Sequence, residues 1–326
     1  MIIPTANRRD VLERTLSLLA SQGDATQFET IVVDDGSTDG TADVVARAAP
    51  TLPGGLRLLR QENRGPAAAR NRGLREAHGR VSLFLGDDTW PHGDLIDRHA
   101  RFHEQHPEPE LALLGHVEWA SAAQPSPLMR WIDDQGIQFA HRFLETRVSG
   151  EHFYTSNVSV KTAFLLGHGG FDEAFPDAAL EDTELGLRLE AAGMSLMYDP
   201  EAVVEHYHPI GLVDLLTRVG KVGRAAPVMT ARFPDWRWKE SWYNPPATGV
   251  GSLARDGALL ALHVAGVRTA RVRTSTWWNL CHRAFDRSIR GATGPHRLER
   301  WLIAAAARDP AARRPVGFPP ARTGAA

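Results

Sequence analysis

The chain has a single cysteine, Cys281, in 326 residues. That scarcity excludes an internal disulfide framework and any cysteine-rich metal site. No apolar run approaches the roughly 20 residues of a membrane span, and no basic n-region precedes the first apolar segment. The expectation is a cytoplasmic protein, at most associated with the cytoplasmic face of a membrane. Neither G-x-G-x-x-G nor G-x-x-x-x-G-K-[ST] occurs, so a dinucleotide fingerprint and a Walker loop have no support. Lysine is missing from Gly251 onward, where 13 Arg and 4 acids give +9 and leave −11 for residues 1–250 of a total of −2. A solvated helical face explains such an end, and so does contact with an anionic lipid surface or an acidic partner. No nucleic-acid partner is expected.

What is present is enough to build one large domain and a smaller one, with 43% hydrophobic residues. Strand and helix patterns alternate from the start. Met1-Ile2-Ile3-Pro4 reads as the tail of a first strand, so short that a natural start a few residues upstream is expected. Thr30–Val33 and Leu56–Leu59 are further strands, each followed by a polar turn and a helix. Val81-Ser82-Leu83-Phe84-Leu85 is a short apolar run that ends in Gly86-Asp87-Asp88-Thr89-Trp90-Pro91. The predicted fold is α/β, a doubly wound, mostly parallel Rossmann-like sheet with a helical C-terminal region.

In such sheets ligands sit beyond the carboxyl ends of the strands, where Asp35, Asp87 and Asp88 are expected. Carboxylates there suit a cation and the phosphates it neutralises. Read alone, Asp88 to Pro91 equally turns the chain and caps a helix near Leu95. Residues 121–127 read as a loop, and the irregular stretch to about Gly150 as either a mobile substrate loop or a poorly patterned surface segment. Short strands at Met194–Tyr198 and Ala202–Val204 deliver Glu205-His206-Tyr207-His208, whose H-x-H spacing is weak evidence for a metal. Glu181, Asp182 and Glu184 sit at a helix N-terminus, where the helix dipole favours acids without any function. From Asp309 the Pro-, Ala- and Arg-rich tail is expected to be disordered.

Taken in order, Ile2-Ile3-Pro4-Thr5-Ala6-Asn7-Arg8, Val32-Val33-Asp34-Asp35-Gly36-Ser37-Thr38-Asp39-Gly40-Thr41, Asn63-Arg64-Gly65 with Ala69-Arg70-Asn71-Arg72-Gly73, and Asn157 to Leu189 with Gly-Gly-Phe-Asp-Glu and Glu-Asp-Thr-Glu-Leu resemble glycosyltransferase family 2 enzymes of the GT-A fold. The resemblance covers roughly the first 210 residues. It implies a GT-A nucleotide-sugar-binding and catalytic domain over 1–210, a helical region over 211–308 and a tail over 309–326. The implied activity is an inverting transfer from a nucleotide-diphosphate sugar donor to a glycan, lipid-linked or small-molecule acceptor, with Mn²⁺ or Mg²⁺. By position, Asp35 is implied at the base or ribose, with Pro4, Asn7, Arg70 and Asp87 on the nucleotide-sugar side. Asp88 and His206 are implied at the metal, Asp182 as the catalytic base, and Asn157 and Glu181 on the acceptor side. The family's first D-x-D acid is Gly86 here, which puts the metal's hold in question. A glycoside hydrolase, which also needs two acids, and a non-catalytic GT-A-like binding module are the alternatives. Trp278, Cys281, Phe285 and Ile289, beside Arg283, Arg287 and Arg290, are expected to form a stripe for peripheral membrane contact.

Overall fold

The computed structural model describes residues 1–22, 28–139, 145–175, 177–234, 250–291, 294–295 and 297–315. They fall into two units, Met1–Ala123 with His141–His208, and Gln124–Ala140 with Pro209–Gly317.

The first unit is a nine-stranded sheet. Strands β1 (Ile2–Thr5), β2 (Thr30–Asp35), β3 (Leu56–Gln61) and β4 (Val81–Leu85) form the N-terminal half in the order β3-β2-β1-β4. All three pairings are parallel. Helices α1 (Arg9–Leu19), α2 (Thr41–Ala48) and α3 (Pro66–Glu76) are the crossovers. Helix α3 lies close on β1, because a Cβ at Gly73 would stand 2.6 Å from the Ile2 side chain. Parallel strands covered on both faces read as continuous apolar runs, and Ile2, Ile3, Ile31, Val32 and Val33 are all fully buried.

Beyond β4 the sheet becomes mixed. Strand β8 (Asn157–Lys161) enters antiparallel between β4 and β6 (Leu111–Trp119). Next to β6 lies β9 (Ser195–His206), parallel to it, with β5 (Thr89–Pro91) and β7 (Arg147–Val148) antiparallel on β9. The two short strands expected over 194–204 are one strand, β9, whose pairing with β6 shifts register between Gly115 and His116. That irregularity breaks the period-2 pattern on which a sequence reading depends. Helix α4 (Leu95–Gln105) follows β5, α6 (Thr162–Gly167) follows β8, and α7 (Glu181–Ala191) precedes β9.

Beneath this half lies a buried polar chain. Lys161 Nζ meets His103 Nδ1 at 2.7 Å, His103 Nε2 meets Ser159 Oγ at 2.8 Å, Ser159 Oγ meets His99 Nδ1 at 2.7 Å, and His99 Nε2 meets Asn157 Oδ1 at 3.0 Å. Asn157 Nδ2 then donates to the carbonyls of His116 and Ala202. One set of neutral tautomers, with the proton on Nε2 of each ring, satisfies every link.

The second unit is helical: α5 (Pro127–Asp134), α8 (Leu212–Arg232), α9 (Val250–Val264), α10 (Ala270–Ile289) and α11 (Arg297–Ala307). Helix α5 falls in the stretch expected to be irregular. Ser126 caps it by accepting from Met129 N at 3.2 Å, Pro127 fills the first helical position, and Trp131 packs on Trp277 and Trp278 of α10. Residues 140–144 of that stretch lie outside the described residues. The stripe expected to meet lipid is largely used inside this unit: Cys281 and Phe285 are buried, and only Ile289 is exposed. Burial pushes the Cys281 thiol up to about 12. The tail starts folded, since Asp309 is buried, accepts from Ala311 N and pairs with Arg273 at 2.8 Å; residues 316–326 lie outside the described residues. Among the described residues no helix is long and apolar enough to cross a membrane.

The polar chain makes stability depend on pH. Burial lowers His99 to about 4, and burial together with Lys161 and His99 lowers His103 to about 3. Both folded values lie below the unfolded value near 6.5, so the unfolded chain binds more protons between them. Their contribution is complete above about pH 6.5 and is lost as pH falls toward 4, on the order of 3 kcal/mol for His99. Urea unfolding from pH 7.5 to 4.5 should show this loss, and His99→Gln should flatten it; a wild-type curve flat over that range would contradict the account.

Candidate active site

Strand β4 stops at Leu85, and the turn Gly86–Thr89 carries two acids to the C-terminal edge of the parallel strands. Thr89 closes the turn, its N–H and its hydroxyl both donating to the Gly86 carbonyl. The backbones of the acids are also fixed: Thr15 Oγ1 donates to the Asp87 carbonyl at 2.7 Å, and Tyr207 N to the Asp88 carbonyl at 2.8 Å. Asp87 and Asp88 are 5% and 6% exposed, so each needs partners to replace water. Asp87 accepts from Thr5 Oγ1 at 2.8 Å and pairs with Arg8 Nη1 at 3.0 Å. Asp88 Oδ2 lies 2.7 Å from Arg8 Nη2, 3.1 Å from His206 Nε2 and 3.2 Å from His208 Nδ1.

The histidines arrive by strand pairing. Thr89 is opposite His206 in the β5–β9 ladder, which sets the end of β9 beside the acids. Alternation sends His206 and His208 to one side, their rings stacked at 5.2 Å, and Tyr207 to the other, stacked on Trp90 at 4.6 Å. Asp88, His206 and His208 offer ligand atoms that all lie within 4.8 Å of one another. Burial opposes charge on Asp87, Asp88 and His206. In Asp88 it is overridden by His206 and Arg8, which hold the carboxyl well below its usual range; in Asp87 it wins, aided by the neighbouring Asp88 charge, and raises the value. Burial also lowers His206 despite the pull of Asp88, and a neutral imidazole is the form that ligates a metal. One ionised carboxylate and two imidazoles therefore fit a divalent ion.

Gly86 has a local reason. A Cβ there would stand 2.8 Å from Asp88 Oδ1 and 3.2 Å from Thr89 Cγ2, so a side chain at this position would push the Asp88 carboxylate out of its place.

The other residues marked in the sequence fall into two groups. At the ends of β1 and β2, Asn7 takes a left-handed conformation at φ 52°, its Oδ1 accepts from Thr38 N at 2.9 Å, and its own N–H donates to Ser37 Oγ. Pro4, on β1, is paired with Val33. Asp35 Oδ1 accepts from Gln61 Nε2 and Arg64 N, and its Oδ2 accepts from Gly65 N at 2.9 Å, so its carboxylate fastens the loop that opens α3. At α7, Arg70 and Glu181 form a buried ion pair at 2.8 Å, and Asp182 Oδ1 accepts from Thr183 N at 2.9 Å. Leu180, just before them, is left-handed at φ 69°. A non-glycine held there costs roughly 1–3 kcal/mol and persists where surroundings fix it, often at a site. Asn157, marked for the acceptor side, is fully buried with its carbonyl and amide both engaged in the polar chain beneath the sheet. Arg8 and His208, named in the sequence only within longer motifs, also join the acid pair. The H-x-H spacing at a strand end was the available signal for His208; for Arg8 there was none beyond its place in the first turn.

Residues 1–110 match the family model "Glycosyl transferase family 2". Those residues belong to that family. It is 31% identical over 270 residues to "Validoxylamine A glucosyltransferase" of Streptomyces hygroscopicus subsp. jinggangensis (strain 5008), covering 73% of this chain and 62% of the relative. The chain thus spans under two thirds of that relative's length. Its structure is similar to the mannosyltransferase PcManGT from Pyrobaculum calidifontis in complex with GDP-Man and Mn²⁺, at TM-score 0.53 and 20% identity, covering 94% of this chain and 84% of that one. It is also similar to S. aureus TarS 1-349 in complex with UDP, at TM-score 0.51 and 19% identity, covering 93% and 89%. These likenesses show the fold, which is GT-A.

Gly86→Ala should weaken binding of a divalent ion by about 10–100-fold, the usual effect of disturbing the support of a ligand. Its far-ultraviolet circular dichroism should stay that of wild type. Calorimetric titration with Mn²⁺ checks this, and unchanged affinity would mean that Asp88 is free to shift.

Proposed function

We propose that this chain is a metal-dependent, inverting glycosyltransferase that moves a sugar from a nucleotide-diphosphate donor to an acceptor hydroxyl. The observation that carries the reading is the convergence of Asp88, His206 and His208 at the C-terminal edge of the sheet in a family-2 chain. Asp88, His206 and His208 would hold Mn²⁺ or Mg²⁺. Two imidazoles beside one carboxylate favour Mn²⁺, because Mg²⁺ prefers oxygen and keeps its waters; the neighbour solved with GDP-Man and Mn²⁺ supports the choice. When bound, the ion would neutralise the donor diphosphate and stabilise the departing nucleoside diphosphate.

The protein's own groups do the rest. Pro4 and Asn7 line the nucleotide side, and Asp35 acts there through the loop whose amides it fixes. Asp87, held by Thr5 and Arg8, stands next to the metal ligand in place of the missing first acid. Arg70 positions Glu181 at the start of α7, beside Asp182. Asp182 accepts the proton of the acceptor hydroxyl as its oxygen attacks the anomeric carbon. One displacement on the side opposite the leaving group inverts that centre. Glu181 lies on the acceptor side of the same helix end, while Asn157 supports that side from beneath. The acceptor class is a glycan, lipid-linked molecule or small molecule bearing a hydroxyl. For a lipid-linked acceptor, exposed Ile289 and Trp301, with Arg290 and Arg300 beside them in sequence, offer peripheral membrane contact.

Two substitutions separate binding from chemistry. Asp182→Asn should leave donor and Mn²⁺ affinity near wild type and lower turnover by roughly 10²–10⁴-fold. Asp88→Ala should abolish the Mn²⁺ dependence of donor binding. Steady-state kinetics with saturating donor, alongside calorimetry, read both; turnover of Asp182→Asn within a few-fold of wild type would remove it as the base.

A further inference from the structure

The metal-ligating carboxylate already has a cation on it. Arg8 spans the acid pair with one nitrogen on each, Nη1 at 3.0 Å from Asp87 Oδ1 and Nη2 at 2.7 Å from Asp88 Oδ2. The second of these oxygens is the one that His206 and His208 approach at 3.1 and 3.2 Å. A divalent ion joining Asp88 Oδ2, the oxygen nearest both imidazoles, needs a lone pair there, and the shortest contact to that oxygen is the guanidinium. The two cations would also repel across a few ångströms in a largely desolvated place.

The surroundings give Arg8 a way out and the acids none. Asp87 and Asp88 side chains are 7% and 8% exposed, whereas the Arg8 side chain is 33% exposed. The acids are fixed by Thr5, by Thr15 and by the Tyr207 amide. Arg8 stands at the entry of α1, on the residue after left-handed Asn7, with no side-chain cap on that helix. Rotation about its own side chain would free Asp88 without disturbing the backbone that carries either acid.

We propose that Arg8 is the resident counter-ion of the Asp87–Asp88 pair and competes with the divalent metal, yielding Asp88 Oδ2 when the metal loads. This rests on the metal reading of the site and adds a specific cost to loading. Without metal, the guanidinium stabilises two adjacent buried carboxylates that would otherwise repel. With metal, the same acids are neutralised by the ion, and Arg8 keeps at most its contact to Asp87.

The test is Mn²⁺ binding by the full chain in the absence of donor, read as free Mn²⁺ by electron paramagnetic resonance, with melting temperatures recorded alongside. Arg8→Gln should bind Mn²⁺ about ten-fold or more tightly than wild type, since it removes a cation from the ligand. It should melt lower than wild type without metal and gain more on Mn²⁺ addition. Arg8→Lys keeps the charge but cannot bridge both acids, so it should bind a few-fold tighter than wild type; it carries the test if the Gln variant does not fold. Unchanged or weaker Mn²⁺ binding in the folded variants, with binding by wild type, would overturn the competition and leave the metal reading standing. Absence of Mn²⁺ binding in wild type and variants alike would overturn both.

Discussion

Two adjacent carboxylates buried at the end of a central strand are the constraint on which this structure turns. Taking both from water costs several kcal/mol each unless charge and hydrogen bonds are returned to them. The chain returns them from distant places: Thr5 and Arg8 from the first strand and its turn, and His206 and His208 from the end of β9, while Thr15 of α1 holds the Asp87 backbone carbonyl. Each contributor is placed by a different part of the fold. The parallel ladder β2-β1-β4 sets β1 next to β4, and the β5–β9 pairing brings the histidines, so the acid pair checks that both halves of the sheet have formed.

The same arrangement bears on the proposed metal site. Burial disfavours charge on His206, while the Arg8 guanidinium favours an ionised Asp88, and ligation needs both directions. A surface cluster of the same residue types would lack this separation. Gly86 belongs to the same logic, since it vacates the space in which Asp88 Oδ1 sits.

Much of this was legible in the sequence, for physical reasons that can be named. Apolar runs closed by Gly, Asp and Pro gave the strands β2 and β4 and put Asp35, Asp87 and Asp88 at their ends, because a buried parallel strand has no polar alternation to confuse the reading. What escaped depends on partners far along the chain. The antiparallel entry of β8 between β4 and β6 leaves no local mark, since period alone does not say which strand lies alongside. Helix α5 was hidden by its brevity, although Ser126-Pro127 is a sound start signal. The stripe Trp278, Cys281, Phe285 and Ile289 was correctly apolar but was assigned to lipid; an apolar face does not reveal what covers it, and here the cover comes largely from within the helical unit. Asn157, expected on the acceptor side, also ends a buried hydrogen-bond chain, which the sequence could not show without knowing that His99 and Ser159 lie beside it.

The central claim is that Asp88, His206 and His208 form one divalent-cation site at the donor end of the sheet. Anomalous diffraction at the manganese edge, from crystals grown with Mn²⁺ and a nucleoside diphosphate, tests it most directly. The account predicts a single strong peak between the Asp88 carboxylate and the two imidazoles, next to the diphosphate. A diphosphate bound at this edge with no peak there, or a peak coordinated by other residues, would contradict it.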